Sequence, residues 1–298
     1  MKALKITLCV LLALVLLTAV VELFYYPRYR LKREAYDITK TADPAAVTVV
    51  SANVRCFSPT DVFKKSWFYR APLLVQTLQS AAPDIIGFQE VTWLHYRYLQ
   101  ETLKGYDNVI LYRDNSPFSE ACPIFYNTAK FDLVDKGGFW LSETPDEMSK
   151  GWNAACYRVC SYVVLSQKSD GKRFAVFNTH LDHVSEDARQ GGIRLVLEKI
   201  KQFGALPGIL MGDLNAEENT PTYRFATEVF DDAKYLTADT DRGATYQNWG
   251  QSLTDENIDY FMVSKGAFNV LRYRVLRTTY DGVYPSDHFP ILLQVTLQ

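Results

Sequence analysis

Short apolar runs in this chain carry polar, chemistry-bearing residues at one end, and the pattern repeats from the N-terminal third to the C-terminus. Val47 to Val54 holds Asn53. Asp84 to Glu90 closes on Gln89-Glu90. Arg173 to His180 runs into Asn178-Thr179-His180-Leu181-Asp182-His183, and Gly208 to Asp213 into Gly212-Asp213-Leu214-Asn215. Ile258 to Ser264 begins at Asn257-Ile258-Asp259-Tyr260. Pro285-Ser286-Asp287-His288 precedes the run Phe289 to Leu297. Apolar runs of this length, bounded by turn residues, read as buried strands. Carboxylates, amides and histidines placed where strands give way to loops are expected to meet at one rim of a sheet, where sites form.

The intervening segments alternate between strand and helix. The spacing predicts helices over Pro72 to Ala81, Trp93 to Leu103, Ser185 to about Phe203 with Ser185 as N-cap, and Pro221 to Phe230. Further strands are expected at Val109 to Tyr112, Pro123 to Tyr126, Phe131 to Asp135, Tyr157 to Ser166 and Ala267 to Leu276. The turn Ser169-Asp170-Gly171-Lys172 joins an antiparallel pair. No internal repeat is visible. Apolar residues make up 48% and charged residues 22%, which excludes disorder as the default. Two packed sheets with helices outside would bury such runs, so the class expected is α/β.

Residues 1–33 differ from the rest. Ile6 to Val21 is an uncharged run of sixteen, interrupted by Glu22 and continued by Leu23 to Tyr26, with Lys2 and Lys5 before it and Arg28, Arg30, Lys32 and Arg33 after it. This reads as one N-terminal transmembrane helix, slightly short, rather than a cleaved signal. Residues 34–45 read as a linker and 46–298 as the folded domain. A single N-terminal anchor would place that domain outside the cytoplasm, although the basic residues after the run argue the opposite orientation. Residues 34–298 carry 26 Lys/Arg and 33 Asp/Glu, a formal charge of −7. That is a poor electrostatic footprint for long nucleic acid. Five cysteines without a CxxC pair exclude a zinc ribbon. Cys156 and Cys160, on one expected strand, would lie about 13 Å apart, too far for a disulfide.

Each polar cluster has an ordinary reading. Gln89-Glu90 could cap an edge, Asp213-Leu214-Asn215 could make an Asx turn, and Ser286-Asp287-His288 could be a surface turn. His180-Leu181-Asp182-His183 could hold zinc. Arg55 could pair with an acid. Trp140 and Trp152 suit core as well as a pocket wall. His183 reads as peripheral to any site, and His95, in a helix, as outside it. The ordered set is much less ordinary than its members.

Gln89-Glu90, Gly212-Asp213-Leu214-Asn215 and Ser286-Asp287-His288 resemble the motifs of the endonuclease/exonuclease/phosphatase superfamily, over about Val47 to Leu297. Gly138-Phe139-Trp140-Leu141-Ser142-Glu143-Thr144-Pro145, followed by Gly151-Trp152-Asn153-Ala154-Ala155 and Arg158, is similar to a bacterial subgroup near the nocturnin-like deadenylases. The chain departs from that subgroup at Asn153, where an acid is frequent. The resemblance implies a four-layer sandwich of two packed mixed β-sheets flanked by helices, and metal-dependent hydrolysis of a phosphoester.

The residue chemistry fits. Glu90, with Asn53 and Asp287, would hold Mg²⁺, or Mn²⁺ in its place, through oxygen or a bound water. Asp213 would deprotonate the attacking water, and Asn215 and His180 would donate to phosphoryl oxygens. Asp259 would fix the tautomer of His288, a further donor. Arg158 is a second phosphate contact. The substrate expected is a nucleotide, nucleic acid or phospholipid headgroup. A sphingomyelinase-like or phosphoinositide-like enzyme and a non-catalytic phospho-ligand module are the alternatives. No protein partner is expected.

Overall fold

A computed structural model of the chain describes residues 2–33, 45–252 and 257–298. In chain order the first elements are helix α1 (Lys2–Arg33), strand β1 (Val47–Asn53), α2 (Trp67–Ala81), β2 (Ile85–Gln89), α3 (Trp93–Thr102), β3 (Tyr106–Val109) and β4 (Ile124–Asn127). There follow β5 (Phe131–Trp140), β6 (Val159–Gln167), β7 (Arg173–His180), α4 (Glu186–Lys201), β8 (Gly208–Asp213), α5 (Pro221–Val229) and β9 (Phe230–Asp232). The last three strands are β10 (Asp259–Ser264), β11 (Phe268–Val275) and β12 (Ile291–Leu297).

The strands form two six-stranded mixed sheets, ordered β11-β12-β1-β2-β4-β3 and β5-β6-β7-β8-β10-β9. Each has one parallel pair at its centre, β1 with β2 and β7 with β8, among antiparallel neighbours. The alternation of strand side chains explains the layering. Val47, Val49, Ile85, Val176, Ile209 and Met211 meet in one apolar layer between the sheets. Val50 and Ile86 face the other way, onto Leu74 and Leu78 of α2 and Leu99 of α3. Phe177 and Leu210 likewise face Val196 of α4 and Ala226 of α5. Strands buried on both faces read as continuous apolar runs, as these do. The α/β class and the two packed mixed sheets flanked by helices agree with the expectation.

Several boundaries moved for local reasons. The helix expected from Pro72 begins five residues earlier, at Trp67. Ser66 caps it by accepting from the Phe68 N–H, and Trp67 and Arg70 are buried under it. Ser185 does cap α4, accepting from the Ala188 N–H at 3.1 Å. Gly191 inside α4 is a packing requirement, since a Cβ there would meet the Trp152 ring at 2.1 Å. Cys156 precedes β6 rather than lying in it, and all five cysteines are unpaired.

The membrane-spanning helix is a correction. Residues 2–33 form one helix, yet among the described residues no helix is long and apolar enough to cross a membrane. The unbroken apolar run of sixteen rises about 24 Å at ~1.5 Å per residue, against a hydrocarbon core of ~30 Å, before Glu22 interrupts it. The linker expected over 34–45 lies, apart from Ala45, outside the described residues.

Candidate active site

The two parallel pairs bring the polar ends of four strands to one rim. Asn53 of β1 pairs in register with Gln89 of β2, and His180 of β7 with Asp213 of β8. β10 runs antiparallel to β8, so its first residue, Asp259, sits opposite Asp213. β12 runs antiparallel to β1, with Ile291 opposite Ser51, so the loop carrying Asp287 and His288 arrives at the same rim. Gly212 makes the β7–β8 junction possible. Its φ is +139°, and a Cβ there would lie 1.9 Å from the Thr179 carbonyl oxygen.

A polar bridge between the sheets lies beneath. Gln89 Nε2 donates to Asn178 Oδ1 at 2.7 Å, and Asn178 Nδ2 donates to the Phe88 and Pro123 carbonyls at 2.8 and 2.9 Å. Gln89 and Asn178 are buried, so this bridge fixes how the two halves of the rim meet. Asn178 was visible in the sequence only as part of a polar cluster. Its role depends on which strand faces it.

Asn53 links the two carboxylates that matter most. Its Nδ2 donates to Glu90 Oε1 and to Asp213 Oδ2, each at 3.0 Å, while its Oδ1 accepts from the Arg55 N–H at 2.9 Å. Glu90 Oε2 accepts from the Cys56 N–H at 2.7 Å. Burial works against the Glu90 charge. Charge from the histidines, the Cys56 N–H and the Asn53 amide outweigh it, and the carboxyl stays well below its usual range. His180 is itself held neutral, by burial first and then by Arg158, so near neutral pH the imidazole charge that helps Glu90 is that of His288.

The other flank is an acid–base assembly. His288 Nδ1 lies 2.9 Å from Asp259 Oδ2, and its Nε2 3.8 Å from Asp213 Oδ2. Burial opposes the imidazolium, but the charge of Asp259 and its hydrogen bond, with Asp213 and Asp287 beyond, lift His288 to about 10. Burial and the charge of Asp259 push Asp213 up to about 7. Asp213 Oδ1 accepts from the Asn215 N–H at 2.9 Å, and His180 Nε2 lies 3.5 Å from Oδ2. Asn215, at φ +47°, donates its Nδ2 to the Leu181 carbonyl.

Among the described residues one group of donors lies close enough together to hold a cation. Asp213, Asp259 and His288 offer ligand atoms within 4.8 Å of one another. In that group His288 Nδ1 is engaged by Asp259, while Nε2 is turned toward Asp213. Glu90 and Asp287, which line the same cavity, add hard anionic oxygens, the chemistry Mg²⁺ prefers. Asp287 lies 3.7 Å from Arg55, whose Nε pairs with Asp61 at 2.9 Å. Asn53 turns its amide nitrogen, not its oxygen, toward Glu90.

Glu90, His180, Asp213, Asn215, Asp287 and His288 line one cavity of about 420 Å³, with Arg55, Cys56, Arg113, Glu120, Cys156, Arg158, His183 and Tyr246, while Asn53 and Asp259 do not line it. Arg158, expected as a phosphate contact, is buried there, with Nη2 3.1 Å from His183 Nδ1 and Nε making no hydrogen bond. His183 therefore joins the site wall. Trp140 and Trp152 do not line this cavity, and His95 is buried against Trp67 at 4.1 Å. Arg113 and Glu120 were not anticipated, because in sequence they are ordinary charged loop residues.

Residues 50–288 match the Endonuclease/Exonuclease/phosphatase family. The chain belongs to this family. Its fold matches the crystal structure of a Bacteroides thetaiotaomicron family protein at 36% identity and TM-score 0.77, covering 85% of this chain and 98% of that one. The mannosyl-6-phosphatase of Bacteroides thetaiotaomicron matches at 37% identity and TM-score 0.75, covering 85% and 99%. Drosophila melanogaster nocturnin is 30% identical over 178 residues, 53% of this chain, and the match spans only 25% of that protein.

Proposed function

We propose that this chain is a divalent-cation-dependent phosphoester hydrolase, acting by attack of water on phosphorus. One observation carries the reading: His288, held by Asp259, and the carboxylates Glu90, Asp213 and Asp287 line one cavity. Glu90 and Asp287 would hold the ion, with Mg²⁺ the first choice and Mn²⁺ a substitute; when bound it neutralises phosphoryl charge and polarises the ester.

The chain's own groups supply the rest. Asp213, fixed by Asn53 and the Asn215 N–H, takes the proton of the attacking water as the new P–O bond forms and the ester P–O bond breaks, the departing oxygen taking a proton from solvent to leave as the alcohol. The His288 imidazolium, the second Nδ2 hydrogen of Asn215 and the Arg158 guanidinium donate to the phosphoryl oxygens as negative charge builds. His180, neutral, adds one N–H donor.

A compact substrate suits the cavity and the −7 charge of residues 34–298 better than a long nucleic acid. The mannosyl-6-phosphatase relationship supports a small phosphomonoester. A phospholipid headgroup is the second reading. Phe57 and Phe118 stack 5.9 Å apart, next in sequence to cavity residue Cys56 and near Glu120, and Phe63 and Phe118 are exposed.

The test is phosphate or alcohol release by wild type and Asp213→Asn, with Mg²⁺ and with chelator. Substrates are sugar phosphates, nucleotides, oligonucleotides and phospholipid vesicles. Release that needs Mg²⁺ and falls at least 10²-fold in the variant is expected. Absence of release throughout, or equal rates for the two proteins, overturns the reading.

A further inference from the structure

Arg113 and Glu120 stand apart from the strands that build the rim. Both belong to the segment between β3 and β4. Isolated bridges of Ala121 to Val91 and to Tyr112 tie that segment to the residue just after Glu90. The Arg113 N–H also donates to the Glu120 carbonyl at 2.9 Å. The backbone is thus anchored without help from either side chain.

The side chains nevertheless form a two-armed pair, Nη1 to Oε2 and Nη2 to Oε1, each 2.8 Å. They line the cavity together with Glu90, Arg158 and His180. Placing a second carboxylate so near Glu90 costs energy, since burial and the Glu90 charge both oppose the ionised form of Glu120. A pair needed only to hold a loop would be cheaper at the surface.

We propose that Arg113 and Glu120 form the leaving-group subsite of this enzyme, selecting phosphomonoesters of neutral, hydroxyl-rich alcohols such as sugars. The inference rests on the phosphoester-hydrolase reading above. A carboxylate has about four lone-pair positions and the guanidinium takes two. The others accept only from donors, which hydroxyl groups are. A second phosphate or a carboxylate brings acceptors and negative charge, and Glu120 rejects both. Nucleoside diphosphates and oligonucleotides, which carry charge on the leaving side, are therefore disfavoured. Arg113 orients the carboxylate with a rigid fork, as a lysine could not.

The experiment compares kcat and KM of the full chain with Mg²⁺ on three substrates: a hexose 6-phosphate, p-nitrophenyl phosphate and a nucleoside 5′-diphosphate. Wild type, Glu120→Gln and Arg113→Lys are used, each with a thermal melt. Glu120→Gln is expected to lose ten- to hundred-fold in kcat/KM on the hexose phosphate, at least ten-fold more than on the aryl phosphate, which lacks hydroxyls, and to gain on the diphosphate. Arg113→Lys, which keeps the charge but loses the fork, is expected to follow the same order with smaller losses. Equal losses on all three substrates by a folded variant, or no loss on the hexose phosphate, overturn the subsite alone. A wild type inactive on all three overturns the hydrolase reading and the subsite with it.

Discussion

His288 Nδ1 and Asp259 Oδ2 are 2.9 Å apart and both residues are buried, so the carboxylate holds the ring in one orientation and one charge state. Without Asp259, burial would be opposed only by the charges of Asp213 and Asp287, and the pKa would fall from about 10. Asp259→Asn should therefore lower kcat by roughly 10²- to 10⁴-fold. The alkaline limb of the pH–rate profile should move to lower pH, because His288 then loses its proton earlier. Profiles of wild type and variant, with circular dichroism to show that both are folded, check this. An unshifted limb would exclude the pair as the group that sets it.

Asn53 holds Glu90 and Asp213 with one amide nitrogen, which makes it a positioning residue for both. Asn53→Ala should cost about 1–3 kcal/mol of stability, read from the denaturant midpoint. It should cost about 10²-fold in kcat, since small displacements of reacting groups carry penalties of that size. Asn53→Asp adds a third carboxylate and should be worse than alanine in kcat. If aspartate equals wild type, the bridging hydrogen bonds are not what orients the pair.

The sheets and the rim were legible because both rest on local signals. Val47, Val49 and Val50 show in sequence what two-sided burial requires, and Glu90, Asp213 and His288 fall where strands end. Arg113, Glu120 and Asn178 were not legible as partners, since their meaning comes from pairings between segments far apart in the chain. Glu120 acquires its place through the Ala121–Val91 bridge, and Asn178 through Gln89 on the opposite sheet. The N-terminal helix was legible as a helix. Its apolar run is too short for the membrane span the flanking charges suggested.

Acid sensitivity should trace in part to His95. The ring is buried, and Nδ1 faces the Thr92 hydroxyl at 2.7 Å and N–H at 3.3 Å, which suits the neutral form. Burial, then the charge of Arg70, depresses it to about 3. Between the ordinary value near 6.5 and about 3 the unfolded chain binds a proton that the folded chain does not. Stability is thus full above ~6.5 and falls as pH drops, by about 1.4 kcal/mol per unit from this group. His95→Gln should flatten that slope in urea melts from pH 7 to 4. An unchanged slope would place the acid sensitivity elsewhere.

Behind the rim, Tyr260 and Lys234 tie together the two segments that present Asn215 and Asp259. The Tyr260 hydroxyl reaches the Ala216 carbonyl at 2.8 Å and the Asn257 carbonyl at 2.6 Å. Lys234, fully buried, lies 4.5 Å from the Tyr260 ring centre and pairs with Glu218 at 2.8 Å and Asp232 at 3.0 Å. Lys234→Met leaves Asp232 buried without its cation and should cost about 3–5 kcal/mol. Adding Asp232→Asn removes the stranded charge and should recover part of the loss. Tyr260→Phe should cost less, about 1–3 kcal/mol, but should lower kcat several-fold, because the segments carrying Asn215 and Asp259 lose their common donor. Denaturant midpoints and kcat for the three variants separate the effects: if Tyr260→Phe alters stability alone, the link does not reach the chemistry.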